Sequence, residues 1–187
     1  MFPLSIFPLP GEMVPLHIFE PRYRQLVEDA EVKDISFGIY YNHVSNTERL
    51  GSLVKLESVI KRYKSGESDI IVKCVDLLTL NKLYRTYRDK LYPGGDVTCW
   101  DVDGSKPVGD FLNRSFGKYK TWLKITHSDK VLSLYDVANE LNLGFDERIK
   151  FVNLSIDKQE TYLIDQIRYQ IKLMRQAEEA RDIFHLN

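Results

Sequence analysis

Hydrophobic and polar positions follow two different periods along the chain, and the change between them predicts how the chain is organised. Between residues 35 and 102, apolar residues alternate with polar ones, as in strands that have one wet face. In the run 54–61, this alternation places Ile60 on the same face as Val54 and puts Val59 on the opposite, wet face. Turn residues separate such runs, at Ser65-Gly66 and at Pro93–Asp96. We therefore predict an antiparallel sheet, closed or half-closed.

Helical spacing replaces this alternation in one early segment and throughout the last part of the chain. The apolar spacing predicts helices over Pro21–Glu31, Phe111–Leu123, Leu134–Leu143 and Asp157–Arg181. Proline at the first helical position favours the first of them, a Ser-x-x-Asp cap favours the third, and Gly144 is expected to end that third helix.

The order of these elements predicts an α+β protein in two parts. A β-rich lobe with one short helix is expected over residues 1–105, and a helical lobe over residues 106–187. Four prolines interrupt the first fifteen residues, so that segment is predicted to be an edge strand or a loop.

Composition limits the classes of partner. The 187 residues include 26 basic and 27 acidic side chains, so no overall charge would hold the chain on nucleic acid or on an anionic membrane. No apolar run is long enough to cross a bilayer, and the N-terminal stretch does not resemble a secretion signal. Two cysteines are too few for a disulfide framework and suit a reducing compartment. We expect a cytoplasmic protein without a membrane partner.

Motifs for catalysis, metal binding or cofactor binding are not found. The glycine spacing at 104–109 resembles a phosphate-binding loop, but Asp110 and Phe111 stand where lysine and a hydroxyl residue are needed. The sequence contains no Gly-x-Ser-x-Gly elbow and no His-Glu-x-x-His pair. Its four histidines are scattered over unrelated predicted elements. We predict no catalytic residue, no metal and no cofactor.

Aromatic and basic residues interleave in one stretch, 83–92, and a second basic stretch lies at 61–64. Guanidinium and phenol groups together can hold a peptide or stack on nucleobases. The alternative reading is structural, because tyrosine and arginine both suit the half-wet face of an exposed strand. As the candidate binding site for a peptide or partner we take Tyr63, Tyr84, Arg85, Tyr87 and Arg88.

The segment Phe7–Tyr23, with the sequence FPLPGEMVPLHIFEPRY, resembles the opening signature of the amino-terminal substrate-binding domain of Lon-type ATP-dependent proteases. Three later features agree in order: Leu50–Val54 entering a strand pair, the hairpin into Ile70–Leu80, and Leu134–Asn142 before the terminal helix. The resemblance implies a PUA-like, β-rich pseudobarrel followed by a small helical bundle. It also implies a stand-alone member of the family, because residues 1–187 contain neither the ATPase nor the peptidase of a complete protease.

By the same resemblance, the chain is expected to be a non-catalytic module or adaptor, related to proteolysis. The implied partners are unfolded or apolar polypeptide segments and a separate ATPase or protease. Two alternatives stay open: an RNA-binding module that uses the PUA-like sheet, and a hydrolase whose groups converge only in space.

Overall fold

The computed structural model describes residues 1–125 and 132–185, with side chains described as far as residue 180. The described residues form six strands and five helices, which are in chain order β1 (Phe2–Leu4), β2 (Met13–Ile18), α1 (Pro21–Lys33), β3 (Phe37–Tyr41), β4 (Leu50–Arg62), β5 (Ser68–Tyr84), β6 (Gly94–Cys99), α2 (Asp110–Trp122), α3 (Leu134–Glu140), α4 (Phe145–Val152) and α5 (Ile156–His185). The predicted α+β class is confirmed. By its internal contacts the chain divides into two units, Met1–Asp103 and Gly104–Asn187. The assignment of separate domains at 1–105 and 106–187 stays a prediction.

The first unit is built on one mixed sheet with the strand order β1-β3-β4-β5-β2. The last strand, β6, pairs with the C-terminal half of β5, on the edge whose N-terminal half is taken by β2. The sheet is not closed. We expected a purely antiparallel sheet, but β1 runs parallel to β3. The open sheet therefore keeps two edges, one formed by β1 and the other by β2 and β6.

Strand β4 contains irregularities that the alternation of its sequence does not show. Its pairing with β5 shifts register between Leu56 and Ser58 and again between Val59 and Lys61. An extra residue at a bulge turns every later side chain to the opposite face. The predicted faces are therefore wrong beyond the bulge: Val59 packs against the core, and Ile60 is 60% exposed.

Helix α1 covers one face of this sheet. It begins at Pro21, as predicted, and ends at Lys33, with Asp34 in the left-handed conformation (φ 50°). Its buried residues Tyr23, Leu26, Val27 and Ala30 recur at helical spacing and pack on Val54, Val72 and other apolar residues of the strands. Burial of this stripe fixes the helix on the sheet.

The proline-rich segment before α1 is a structural connection. Phe7 and Leu9 are buried, Ser52 Oγ donates a hydrogen bond to the Pro8 carbonyl at 2.6 Å, and the Leu9 amide donates to Glu12 Oε2 at 2.9 Å. The edge-strand prediction holds for β2, which borders the sheet. These contacts bury residues 7–10, whereas Met13 and Phe19 later in the segment are exposed.

The second unit consists of helices, and one of them was missed. Helix α3 begins with the predicted cap, in which the Asp136 amide donates to Ser133 Oγ at 3.1 Å. Gly144 does not end this helix but immediately precedes α4, where its amide donates to Glu147 Oε2 at 2.7 Å. A glycine followed three residues later by glutamate marks a helix start as well as a stop.

Candidate functional site

The stretch predicted as an exposed tyrosine/arginine strand is a loop. Strand β5 ends at Tyr84, and residues 85–93 form the connection to β6; we call this connection the β5–β6 loop. Arg88 has a φ of 53°, which no strand residue adopts. The Tyr87 amide donates to the Tyr92 carbonyl at 2.8 Å, so the loop folds back on itself. The predicted turn at Pro93–Asp96 is also corrected, since β6 already begins at Gly94.

A buried carboxylate fastens this loop to α1. Asp29 is 8% exposed, and it accepts hydrogen bonds from Tyr92 Oη at 2.7 Å and Lys33 Nζ at 2.6 Å. Lys90 Nζ lies 2.9 Å from the same carboxylate, and the Leu91 amide donates to Gln25 Oε1 at 2.8 Å. The hydrogen bonds from Lys33, Lys90 and Tyr92 hold the pKa of Asp29 well below its ordinary value. The loop is thus held by charge-assisted bonds that connect it to a packed helix.

Fastening the loop creates an apolar pocket beside it, which we call the loop pocket. Its volume is about 340 Å³, at the lower end of the size range of small-molecule sites. Its walls include Ile35 and Phe37 before and within β3, Leu53 on β4, Leu78 on β5, and Val97 on β6. These side chains reach it from four different segments, so the pocket exists only once the sheet and α1 are assembled.

Three further features finish the loop pocket. Tyr87 and Tyr92 line it from the β5–β6 loop, and their rings stack at 6.2 Å between centroids. The Met1 side chain contributes to the wall, and the Met1 nitrogen donates to the Pro93 carbonyl at 2.7 Å. At the mouth, Ile35 is 37% exposed and Tyr87 43% exposed. An apolar pocket with a partly wet aromatic rim is suited to an apolar side chain of a binding partner.

Four of the five predicted binding residues lie in or next to the β5–β6 loop, but only Tyr87 lines the pocket. Tyr84 Oη donates to Asp96 Oδ2 at 2.6 Å, which ties the tip of β5 to β6. The Arg88 guanidinium stands 5.2 Å from the centroid of the Tyr87 ring, and Arg85 and Arg88 are both exposed. All four are exposed within five consecutive residues of the chain, and Tyr87 contacts Arg88 on one side and the loop pocket on the other.

Tyr63 is not part of this group. It lies in the turn between β4 and β5, at the opposite end of β5 from Tyr84, where its hydroxyl donates to Asp69 Oδ2 at 2.7 Å. His17 Nδ1 lies 2.6 Å from Asp69 Oδ1 on the other side. The hydrogen bond to Asp69 is the main cause that raises the pKa of Tyr63. Tyr63 belongs to a separate polar cluster that joins β2 to the turn.

The residues that build the pocket were not found from sequence, although one signal was present. Asp29 stands three positions after Leu26 and one before Ala30, on the side of α1 that carries the apolar stripe. A carboxylate on a buried helix face requires a partner, because an unpaired buried charge is costly. The partners, Lys90 and Tyr92, are more than sixty residues away in sequence, and only the fold shows them.

Few other groups suggest chemistry. Burial raises the pKa of the Cys74 thiol to about 12, so it is a poor nucleophile at neutral pH. Within residues 1–125 and 132–185, no three His, Cys, Asp or Glu side chains are grouped as metal ligands. Over the same ranges, no helix is both long and apolar enough to span a membrane.

Comparison with solved structures identifies the fold. A crystal structure of a Lon N-terminal domain protein from Xanthomonas campestris matches with a TM-score of 0.62 at 21% identity, covering 82% of this chain and 88% of that one. The N-terminal domain of the Lon protease of the Mycobacterium avium complex matches with a TM-score of 0.60 at 14% identity, covering 89% and 96%. The chain has a Lon N-terminal domain fold. No protein-family model and no curated protein matches the sequence.

The Lon N-terminal domain fold confirms the resemblance that the Phe7–Tyr23 segment suggested. The match covers both units of the chain, since 89% of it aligns with the mycobacterial domain. At these identities the likeness concerns the fold, so residues of the loop pocket have to be argued from their own geometry.

Proposed function

We propose that this chain is a polypeptide-recognition module of the Lon N-terminal type, and that the loop pocket holds an apolar side chain of an unfolded or extended polypeptide. The observation that carries the proposal is the apolar pocket of about 340 Å³ with Ile35 and Tyr87 at its mouth. Catalysis is not part of the proposed role.

The physical basis is the burial of apolar surface. Closing one bulky apolar side chain away from water contributes about 1.5–3 kcal/mol. That is a weak and unspecific gain, as expected for a module that takes many sequences. The Asp29 contacts keep the pocket formed before binding, so the complex does not lose free energy in ordering the β5–β6 loop.

The experiment compares matched aspartate substitutions in the intact chain. Ile35→Asp places a charge at the mouth of the loop pocket, and Ile60→Asp places the same charge on β4 outside the lining. The probe is a permanently unfolded, reduced and alkylated protein with a fluorescent label, with its native folded form as the negative control. Binding is followed by fluorescence anisotropy at physiological salt.

We expect saturable binding of the unfolded probe, weakened about tenfold by Ile35→Asp, which corresponds to about 1.4 kcal/mol. Tyr87→Ala should weaken it in the same direction, because it removes the aromatic side chain at the mouth. Ile60→Asp should bind as the unsubstituted chain does. Equal weakening by both aspartate variants, or no binding of the unfolded probe, would overturn the proposal.

Other expectations from the sequence are outside this test. A separate ATPase or protease partner, an RNA ligand, a hydrolase activity and a cytoplasmic location stay predictions. The expectation that the sheet is PUA-like also stays a prediction.

A further inference from the structure

A second surface lies on the helical unit, where α2 and α5 pack side by side. Near the start of α2 the Gly109 amide donates to Glu160 Oε1 at 2.7 Å, and ten residues later Tyr119 Oη donates to Gln170 Oε1 at 2.6 Å. Residue numbers increase in the same direction along both helices, so the helices run parallel. Phe116 and Leu112 of α2 are fully buried between the helices of this unit. The opposite side of α2 faces outward and forms one wall of a groove with α5.

This groove has a volume of about 530 Å³ and a mixed lining. The principal lining residues are Phe111, Arg114 and Lys118 from α2 and Ile167, Arg168 and Ile171 from α5. The α2 residues recur at intervals of three and four, so they occupy a single helix face. The groove follows that face over eight residues, from Phe111 to Lys118, which is roughly 10 Å or two helical turns.

Apolar groups lie along the groove and are open to solvent. Phe111 is 53% exposed, and Ile171 is half-buried next to the buried Ile167. The Arg168 guanidinium of α5 stands 5.9 Å from the centroid of the Phe111 ring of α2, and further along the Arg175 guanidinium stands 5.6 Å from the Trp122 ring in the same arrangement. A ring as exposed as Phe111 has apolar surface left to bury against a partner.

The charged groups of the groove are all cationic. Arg114, Lys118 and Arg168 line it, and no carboxylate is among its described lining residues. The neighbouring Asp165 lies 3.2 Å from Arg168, but both side chains are more than 60% exposed. Such an exposed pair contributes little and exchanges readily for another carboxylate. The groove therefore presents positive charge beside an apolar strip.

We propose that the α2–α5 groove binds an acidic amphipathic helix of a partner protein. Its apolar residues would pack on Phe111 and Ile171, and its carboxylates would pair with Arg114, Lys118 and Arg168. Helices that dock in grooves use apolar anchors at intervals of three and four, which the two-turn length of this groove accommodates. An RNA ligand would use the cations but would leave the accessible apolar surface of Ile171 without an apolar partner, so a peptide fits the lining better.

The probe for the test is a synthetic, fluorescein-labelled helical peptide of about 14 residues, long enough to exceed the groove at ~1.5 Å per residue. It carries leucines on one face, flanked by glutamates. Two matched peptides replace either all glutamates by glutamine or all leucines by serine, and a labelled single-stranded RNA is measured alongside. The intact chain is used throughout, and anisotropy gives the dissociation constants.

The variant Arg114→Glu with Lys118→Glu reverses two groove charges. Lys106→Glu with Lys158→Glu is the matched control, because it changes the net charge equally at two exposed residues of the same unit outside the groove lining. Should the first variant lose its circular-dichroism signal, Arg114→Gln with Lys118→Gln replaces it. The Ile35→Asp variant shows whether the peptide uses the loop pocket instead.

We expect the groove variant to weaken binding of the acidic peptide about tenfold, because two attractive charge pairs become repulsive. The control pair and Ile35→Asp should leave its affinity within twofold, and both altered peptides should bind more weakly. Equal weakening by the two charge-reversal variants would overturn the proposal, because the effect would then be one of net charge. Tighter binding of RNA than of the acidic peptide, or no saturable peptide binding, would overturn it as well.

Discussion

Replacing Asp29 by asparagine removes one charge while keeping the shape of the side chain that holds the β5–β6 loop. In the native chain this carboxylate accepts hydrogen bonds from Tyr92, Lys33 and Lys90. An amide offers a single acceptor oxygen and turns a donor toward one of these three donors. The substitution therefore tests whether the loop depends on charge at this point of α1.

The expected loss in the free energy of unfolding follows from how exposed the partners of Asp29 are. The Tyr92 bond is buried, and weakening a buried hydrogen bond to a charged group costs about 1.5–2 kcal/mol. The side chains of Lys33 and Lys90 are 51% and 23% exposed, so their two pairs together add only about 0.5–1 kcal/mol. Asp29→Asn should thus lower the free energy of unfolding of the first unit by about 2–3 kcal/mol and its Tm by roughly 10 °C.

The pH dependence has a definite sign. The folded-state pKa of Asp29 is depressed, so its contribution is complete above the unfolded-state value of about 3.9 and is lost as the pH falls toward the folded-state pKa. Asparagine does not titrate. The stability difference between the two proteins should therefore be largest at pH 7 and smaller by about 1 kcal/mol at pH 3.

Urea unfolding measures this, with Trp100 as the reporter in a Trp122→Phe background so that fluorescence follows the first unit alone. The matched control is Asp34→Asn, which removes a carboxylate that is 79% exposed and paired with Lys55 at 3.0 Å. It should cost no more than about 0.5 kcal/mol. If Asp29→Asn costs as little as the control, or its cost does not change with pH, the reasoning about the buried carboxylate is refuted.

Three further predictions concern other parts of the chain. At pH 8 a chromogenic disulfide should label the exposed Cys99 and leave Cys74 unlabelled until urea is added, and two equally fast thiols in the native protein would contradict the burial of Cys74. Phe116→Ala should cost about 3–5 kcal/mol in urea unfolding followed by the fluorescence of Trp122, which lies in the same unit, since the Phe116 ring is 0% exposed; a cost below 1 kcal/mol would mean that the helices close over the space. Ser133→Ala should cost about 1 kcal/mol by the same measurement, whereas Ser133→Asp, which retains a cap, should cost less.

Sequence reasoning succeeded where structure is specified locally. Pro21 marks the start of α1 because its ring presets the helical φ, and Ser133 marks the start of α3 because its hydroxyl accepts a free amide of the first turn. Sequence reasoning failed to predict which face of β4 carries Val59 and which carries Ile60. The bulge there follows from the pairing with β5, a contact between segments that alternation along one strand does not contain.

The candidate site shows the same division. The tyrosine/arginine stretch was found from its composition, but its conformation as a strand was wrong, because the fold holds Tyr92 and Lys90 on Asp29 and Arg88 takes a left-handed conformation. The proposed role of Tyr87 also depends on side chains from β3, β4 and β6, whose convergence in one pocket is a property of the assembled sheet. The binding role of the other nominated residues stays a prediction.

The open sheet affects whether unfolded chains can add to this protein as extra strands. Two of its three outer strands, β1 and β2, contain Pro3 and Pro15, and a proline leaves a gap in the row of amide donors that an incoming strand would need. Backbone pairing is the contact by which misfolded chains recruit one another into fibrils. The chain is therefore a poor seed for strand addition at these two strands, which matters if it takes unfolded polypeptide as proposed.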